Sequence, residues 1–541
     1  MTISTIDGKI APATFDYIVI GGGSGGCAVA SRLSEDPSVN VCLLEAGKVD
    51  KNPLIHMPAG VVALMSGGSE NWAFETVPQP GLNGRKGYQP RGRTLGGSSS
   101  INAMVYIRGH RLDYDRWANQ DSAPGWAFDD VLPYFKKLEN FEPGADDFHA
   151  VGGPLNATTH RSPNPINERF LQAGEQLQLP RSFDFNGEQQ EGLGWYHVTQ
   201  KDGQRHSAAK AYIHPNLDRP NLFVITNAHA KRLILKDRRA TGVEIKTAKR
   251  DATLVAKRET ILAAGAFQTP QLMMLSGIGP GEHLKHHGIE VVHDLPGVGE
   301  NLQDHIDYVL SYKTHSKSAF GVSLLGLPGM TGNLFRYLFA KTGMLTTNFT
   351  ETGGFLKSSA DVEHPDLQLH FVIAPVEDHG RKLGWGHGFS CHVCVLRPKS
   401  KGTVRLASNN PFAAPLIDPN FLADSEDAET LLRGVKLTRR LMRAPAFDSI
   451  REKEMHIAAI ESDDALLEDI RNRADTVYHP VGTCRMGSDA ASVVDTQLRV
   501  RGLEGLRISD ASVMPSVVSG NTNAPTMMIG ERCADFIKYA H

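Results

Sequence analysis

Long apolar runs are missing from this 541-residue chain. No stretch of about 18 consecutive apolar residues occurs, so no membrane-spanning helix is expected. Residues 1–14 lack a basic segment followed by an apolar core, so no secretion signal is read there. Charge of one sign is lacking too. The formal net charge is -3, and no Lys/Arg run forms a basic stripe, which argues against nucleic acid as a partner. No internal repeat is evident. Cysteine is scarce, with Cys27, Cys42, Cys391, Cys394, Cys484 and Cys533 making too few for a disulfide framework in a chain this long. A reduced, cytoplasmic setting fits all six. Cys391-His392-Val393-Cys394 has C-x-x-C spacing but lies in an alternating run, Phe389 to Leu396. Residues three apart on a strand point to opposite faces, so a redox or zinc site is rejected and no metal is expected.

Glycine (53) and proline (30) are plentiful, which suits a loop-rich α/β protein of two to four domains. The first informative stretch is Phe15 to Ile20, an apolar run that leads into Gly21-x-Gly23-x-x-Gly26. A helix-permissive segment follows (Cys27 to Leu33), then a second apolar run, Val39 to Leu44, ending on Glu45. That is one βαβ unit of dinucleotide-binding type. Gly21 allows the sharp turn, Gly23 the approach of backbone to a pyrophosphate, and Gly26 close helix–sheet packing. Glu45 stands where a carboxylate can accept hydrogen bonds from an adenosine ribose. The loop leaves NAD, NADP and FAD open.

A second loop, Arg91 to Gly109, combines Gly96-Gly97 with Ser98-Ser99-Ser100 and then apolar periodicity at Ile101, Met104, Val105 and Ile107. Its many backbone donors suit a phosphate or an electron-rich ring edge. Leu112 to Asn140 reads as amphipathic helix. Gly152 to Pro220 is turn-rich and is read as a first crossing into a second domain. Leu222–Ile225 and Ala230–Leu235 read as strands, and Glu259 to Ala266 as a strand closing on small residues before a helix that stops at Gly277 or Gly279. Leu367–Ile373, Phe389–Leu396 and Gly402–Leu406 read as alternating strands, with a long helix from Ser425 to Arg443. Small-residue turns then carry Tyr478-His479-Pro480-Val481-Gly482 and Gly520-Asn521-Thr522-Asn523 before a last helix, Met527 to Tyr539. Phe320 to Phe339, the most apolar segment, is read as ordinary packing, with a flap, a channel wall or a peripheral membrane contact kept open.

Together these segments resemble the glucose–methanol–choline (GMC) oxidoreductases over nearly the whole chain. Gly92 to Asp115 matches that family's first signature and Gly265 to Gly279 its second. Pro53 to Pro58, Asn102 to His110, Asp378 to Lys382 and Tyr478 to Gly487 look closest to bacterial alkanol-oxidising members, with choline and sorbose dehydrogenases next. The resemblance implies an α/β architecture with an α+β second domain: a Rossmann-like FAD-binding domain (14–155, 222–312 and 473–541) beside an antiparallel-sheet substrate domain with helices on one face (156–221 and 313–472). It places Gly21, Gly23, Ser24 and Gly25 at the FAD pyrophosphate and Glu45 with Ala46 at the ribose. Trp72, Ser98, Asn102, Ala103, Met104 and Val105 would line the flavin, and the backbone of Ala230 would meet the adenine. Asp510 and Ala511 would sit by the ribityl and pyrophosphate groups, and Gly97, Ala264, Tyr478, Asn521 and Thr522 would complete the cofactor site. Some members bind FAD covalently through a histidine just before the equivalent of Asn102; this chain has Ile101 there, so the FAD is expected to be non-covalent.

Oxidising an alcohol through a flavin removes a proton from O–H and a hydride from the adjacent carbon. Histidine suits the base, since its ordinary pKa of about 6.5 leaves it mostly neutral near pH 7. Spacing singles out none of the 22 histidines; the resemblance selects His479 as base and Asn521 as the residue that orients the alcohol oxygen. Asn before Thr is also a common helix cap, and both roles are compatible. The expected activity is oxidation of primary aliphatic alcohols to aldehydes, with electrons passing to a quinone or another non-NAD acceptor. The expected location is cytoplasmic, with contact at the inner membrane kept open. An oxygen-reducing oxidase of the same fold and a choline or sugar dehydrogenase are alternatives. A non-catalytic flavin-binding protein would account for Gly21 to Glu45 but not for His479 and Asn521.

Overall fold

The computed structural model describes residues 3–322, 327–378, 381 and 386–539. Of the segment Asp378 to Lys382, only Asp378 and Arg381 fall among them. Two sheets organise the chain. In the first, seven-stranded, Leu222–Ile225, Val41–Leu44, Thr14–Ile20 and Asp251–Leu262 lie parallel in that order. Ile18, Val19, Val41, Cys42 and Leu43 are wholly buried, as continuous apolar runs in a parallel sheet covered on both faces must be. Leu506–Ile508 joins the far end of Asp251–Leu262 in parallel, and Arg239–Thr247 with Ala228–Lys236 extends its near end antiparallel. The helix Ser24–Leu33 packs on this sheet and against Asn523–Lys538. The two helices approach where side chains are smallest: a Cβ on Gly530 would sit 2.7 Å from the Gly25 carbonyl oxygen.

The second sheet is eight-stranded and antiparallel, built on Ile306–Thr314, Gly386–Val395, Leu367–Val372, Thr352–Leu356 and Gly192–Trp195. Period-2 alternation divides its faces. Tyr308, Leu310, Tyr312, Leu369, Phe371, Phe389, Cys391 and Val393 pack with Leu431, Val435 and Leu441 of the helix Ser425–Met442 in one core. That helix crosses closely at Gly434, whose added Cβ would meet Leu367 and Val393 at 2.8 and 2.9 Å. Gln368 and His370 fall on the other face. All six cysteines are buried and unpaired. Among the described residues no cluster of potential metal ligands occurs, and no helix is long and apolar enough to cross a membrane.

Two expectations are corrected. Leu112 to Asn140 is two helices, Arg111–Asn119 and Phe128–Leu138, because Ser122 and Gly125 take left-handed backbone (φ 60° and 84°) that ends the first. Thr403–Arg405 lies outside the second sheet, paired only with Leu416–Asp418. Ile306–Thr314 is one continuous strand, paired with Gly386–Val395 from Asp307 to Thr314 and with Thr476 at Ile306.

Behind the first sheet, Arg108 and Glu139 form a fully buried ion pair at 2.6 Å, joined by His149 and the Tyr106 hydroxyl. Burial alone would raise the Glu139 pKa; the His149 and Arg108 contacts together outweigh it and hold the carboxyl below the ordinary range. Removing one member strands a buried charge. Glu139→Ala is therefore expected to lose about 3–5 kcal/mol, read as a lower thermal-unfolding midpoint, whereas a paired Arg108→Met, Glu139→Leu variant should regain most of it.

Candidate active site

The parallel strands of the first sheet end level with one another. Ile20 pairs with both Leu262 and Leu44, Leu262 with Ile508, and Leu44 with Ile225. The loops that leave these ends meet above the sheet, where open α/β folds bind ligands. The contact is close. A Cβ on Gly21 would lie 2.3 Å from the Ala263 carbonyl oxygen, and one on Gly25 would lie 2.1 Å from that of Ser509. Gly23 differs, with nothing nearer than 3.9 Å, so its backbone faces open space. That space is a cavity of about 910 Å³.

Three helices begin at its wall: Ser24–Leu33, Gly265–Leu275 and Asn523–Lys538. None is capped by its own N-cap side chain, and none has an acidic residue in its first turn. At Ser24–Leu33 and Asn523–Lys538 the first-turn N–H groups lack a side-chain cap, while the Gly265 amide is taken by Asp510; positive dipole ends converging on one cavity suit an anion such as a pyrophosphate. Glu45, buried at the next strand end, accepts from the Gly22 and Gly47 amides at 3.0 and 2.6 Å. Burial pushes its pKa up to about 7, a desolvated carboxylate that ribose hydroxyls can satisfy. Asp510 accepts from the Gly265 amide and the Thr269 hydroxyl at 2.9 and 2.6 Å, which joins the third loop to the second. These features fit a dinucleotide.

Every residue expected at the cofactor or at the catalytic position lines this cavity: Gly21, Gly23, Ser24, Gly25, Glu45, Ala46, Trp72, Gly97, Ser98, Asn102, Ala103, Met104, Val105, Ala230, Ala264, Tyr478, His479, Asp510, Ala511, Asn521 and Thr522. Met104 and Tyr478 hold left-handed backbone (φ 59° and 77°), a strained state for side chains of their size and one that clusters at functional sites. Trp72 stacks on Phe74 and carries Arg93 over its ring at 4.5 Å. Ile101 is buried with Ile55 and Leu64 and offers no atom for a covalent link.

Around His479 the groups are polar and buried. Its backbone N–H donates to Asp304 Oδ1 at 2.8 Å, and Arg91 donates to the Tyr478 carbonyl at 2.7 Å. Asn521 Nδ2 lies 3.0 Å from His479 Nε2, and Asn521 Oδ1 accepts from Gln368 Nε2 at 3.1 Å. The cap of the last helix is Thr522, not Asn521, so the Asn521 amide is turned to the site. His305 Nδ1 lies 2.9 Å from His479 Nδ1. Burial lowers the His479 pKa well below its ordinary value, and His305, His370 and Arg91 lower it further. His479 is a neutral imidazole near pH 7, able to accept a proton. Arg91, Asp304, His305, Gln368 and His370 escaped the sequence reading because single histidines, carboxylates and arginines carry no periodic or glycine signal.

The fold and site define an α/β oxidoreductase with a dinucleotide cleft and a neutral histidine at its far end. Two family profiles, both described as GMC oxidoreductase, match residues 15–307 and 398–530. The chain belongs to the GMC oxidoreductase family. It is 49% identical to an alcohol dehydrogenase [acceptor] of Pseudomonas putida over 97% of this chain and 95% of that protein. It is 43% identical to the mitochondrial choline dehydrogenase of Mus musculus, over 97% of this chain and 89% of that one. Among solved structures it resembles pyridoxine 4-oxidase from Mesorbium loti (TM-score 0.87, 30% identity, 97% of this chain and 99% of that chain).

Gly25→Ala, which drives a methyl into the Ser509 carbonyl, is expected to purify with little bound dinucleotide. Absorbance of cofactor released on denaturation checks this.

Proposed function

We propose that this chain is an FAD-dependent dehydrogenase that oxidises primary, uncharged aliphatic alcohols to aldehydes and passes the electrons to a quinone or another non-NAD acceptor. The relatives support this reading: one is an acceptor-dependent alcohol dehydrogenase at 49% identity, and a Chaetomium thermophilum neighbour is titled an FAD-dependent oxidoreductase. The observation that carries it is the His479–Asn521 pair, 3.0 Å apart on the wall of the large cavity. Gly21 to Gly25 with the helix N-termini would hold the pyrophosphate, and Glu45 the ribose. FAD, when bound without a covalent link, supplies the two-electron acceptor for the alcohol's carbon-bound hydride. His479 Nε2 takes the hydroxyl proton, and a hydrogen of Asn521 Nδ2 holds the alcohol oxygen.

The lining beyond the pair sets the substrate class. Ala59, Val61, Val62, Met65, Phe320, Phe349, Val372 and Ala374 belong to one apolar cluster and line the cavity. Among the described residues the only lining carboxylates are Glu45 and Asp510, both in the strand-end loops of the first sheet. Glu351 is buried but accepts from the Asn164 amide, Asn167 and Thr347 instead of lining the cavity. Arg91 and Arg381 do line it. Arg381 is paired with Asp378 at 2.6 Å, so among the described residues the substrate wall offers a cation no free carboxylate, whereas an alkyl chain gains about 0.8 kcal/mol per buried CH₂. We divide the chain into a cofactor-binding unit (14–155, 222–305 and 473–541) and a substrate unit (156–221 and 306–472), moving the boundary expected at 312 to before Ile306 because Ile306–Thr314 is one strand of the second sheet.

A membrane surface suits the acceptor side. The helix Leu327–Ala340 exposes Leu334, Phe335, Leu338 and Phe339, and Phe335 stacks on Phe339 with ring centroids 6.3 Å apart. Tyr337 on the same helix donates to the His56 carbonyl, beside the Met57–Met65 stretch that lines the cavity. Arg336 and Lys341 flank the apolar face with positive charge, as an interfacial helix on anionic lipid requires. This reading places the protein in the cytoplasm, peripheral to the inner membrane. An oxygen-reducing oxidase is the second reading, favoured by the likeness to pyridoxine 4-oxidase and to a formate oxidase structure (TM-score 0.91, 28% identity).

Anaerobic stopped-flow with a primary alkanol is expected to show flavin reduction slowed by roughly 100- to 10,000-fold in His479→Ala with FAD retained. Asn521→Ala should lose about 100-fold; an unchanged rate in either variant contradicts its role. Turnover should reduce a quinone dye with little peroxide, and peroxide as the main product would favour the oxidase. Phe335→Ser with Phe339→Ser is expected to cut co-sedimentation with phosphatidylglycerol vesicles several-fold while dye reduction with a short alkanol stays unchanged.

A further inference from the structure

Resting on His479 as the base, we infer that His305 is a positioning residue that decides which nitrogen of His479 is bare. His305 is wholly buried at the entry to the strand Ile306–Thr314. Its Nε2 lies 3.1 Å from the Leu396 carbonyl oxygen. A carbonyl can only accept, so Nε2 carries a hydrogen. Burial, with Arg397, pushes the His305 pKa down to about 4 against the Leu396 and Val518 carbonyls and Asp113, which keeps the ring neutral and gives it a single N–H. Its Nδ1 is therefore a bare acceptor. That acceptor faces His479 Nδ1 at 2.9 Å, with the two rings nearly perpendicular at 87°. Two bare nitrogens at this distance would repel and leave both unsatisfied in a buried setting. His479 must then carry its hydrogen on Nδ1 and donate it to His305.

The consequence is fixed at the other side of the ring. A neutral imidazole has one N–H, so His479 Nε2 is left as the lone pair. It is this atom that meets Asn521 Nδ2. The Asn521 orientation agrees independently: Gln368 donates to its Oδ1, so its NH₂ is the group turned to His479. A chain of donors thus runs from His479 Nδ1 through His305 to the Leu396 carbonyl. Hydrolytic triads commonly orient the base with a carboxylate; here the orienting group is a neutral ring. It selects the tautomer without adding negative charge. When His479 Nε2 takes the alcohol proton, the Nδ1–H···Nδ1 bond stays in place and the proton rests on His479. The other titratable or charged groups toward His479 are Asp304, on its backbone N–H, with Arg91 and His370. None of the contacts described for them reaches the His479 ring nitrogens.

The test uses the FAD-loaded protein, wild type and three variants. Nitrogen-15 histidine NMR of wild type should show His479 protonated at Nδ1. His305→Leu should populate the Nε2-protonated form and slow anaerobic flavin reduction by about 100-fold or more, with FAD content and the alcohol concentration for half-saturation little changed. His305→Asp restores an acceptor and adds charge; it should recover the Nδ1–H tautomer and move the acidic limb of the rate–pH profile upward. A bare His479 Nδ1 in wild type, or a His305→Leu rate within about twofold of wild type, overturns the inference. His479→Ala measured alongside separates the two claims, since fast reduction there would defeat the base assignment and leave the NMR tautomer result standing by itself.

Discussion

Four backbone hydrogen bonds at the strand ends hold the site together. Ser509 N–H donates to Leu262, Ala263 to Ile20, Gly21 to Leu44 and Glu45 to Ile225, at 2.7, 2.8, 2.9 and 2.9 Å. Each hands one strand's last amide to its neighbour, so loops hundreds of residues apart leave the sheet at one level. Not even a Cβ could be accommodated at Gly21 or Gly25 without pushing these loops apart. The uncapped helix N-termini, the buried Glu45 and the Asp510 bridge all follow from this alignment, and together they make an anion-binding floor.

The second sheet contributes the chemistry by contrast of faces. Its helix-covered face is apolar and closes the core. Its other face turns Gln368 and His370 toward the loops that carry His479 and Asn521, one from each side of the last sheet-one strand, Leu506–Ile508. Asp304, His305 and Asn521 around His479 are hydrogen-bonded, and such contacts act in low dielectric and cost little reorganisation, while both ring nitrogens of the buried His370 lack a protein partner among the described residues. Beyond them the wall is aliphatic and aromatic. A neutral imidazole, a neutral amide and an apolar wall are what the proposed oxidation of an uncharged alcohol asks of this site.

How much of this was legible depended on the kind of signal. Thr14–Ile20, Val41–Leu44 and the Gly21–Gly26 loop were readable because a parallel strand leaves an unbroken apolar run and a close approach leaves glycine. Ser425–Met442 was readable from its 3.6-residue period. The break between Arg111–Asn119 and Phe128–Leu138 was not, because apolar residues on both sides keep helical spacing across it. Thr403–Arg405 alternates like a strand, but alternation does not say which sheet a strand joins. His479 and Asn521 came from family resemblance alone, with no pattern in the chain to separate them from other histidines and asparagines. His305 had no signal of either kind: its partner nitrogen lies 174 positions away, and only the folded chain brings the two rings together.

The most direct test of the account is anaerobic titration of the purified flavoprotein with primary alkanols, choline and sorbose, following the visible flavin absorption. A substrate wall that is apolar and without a lining carboxylate among the described residues predicts bleaching by alkanols and none by choline. Bleaching by choline with no response to alkanols would contradict it.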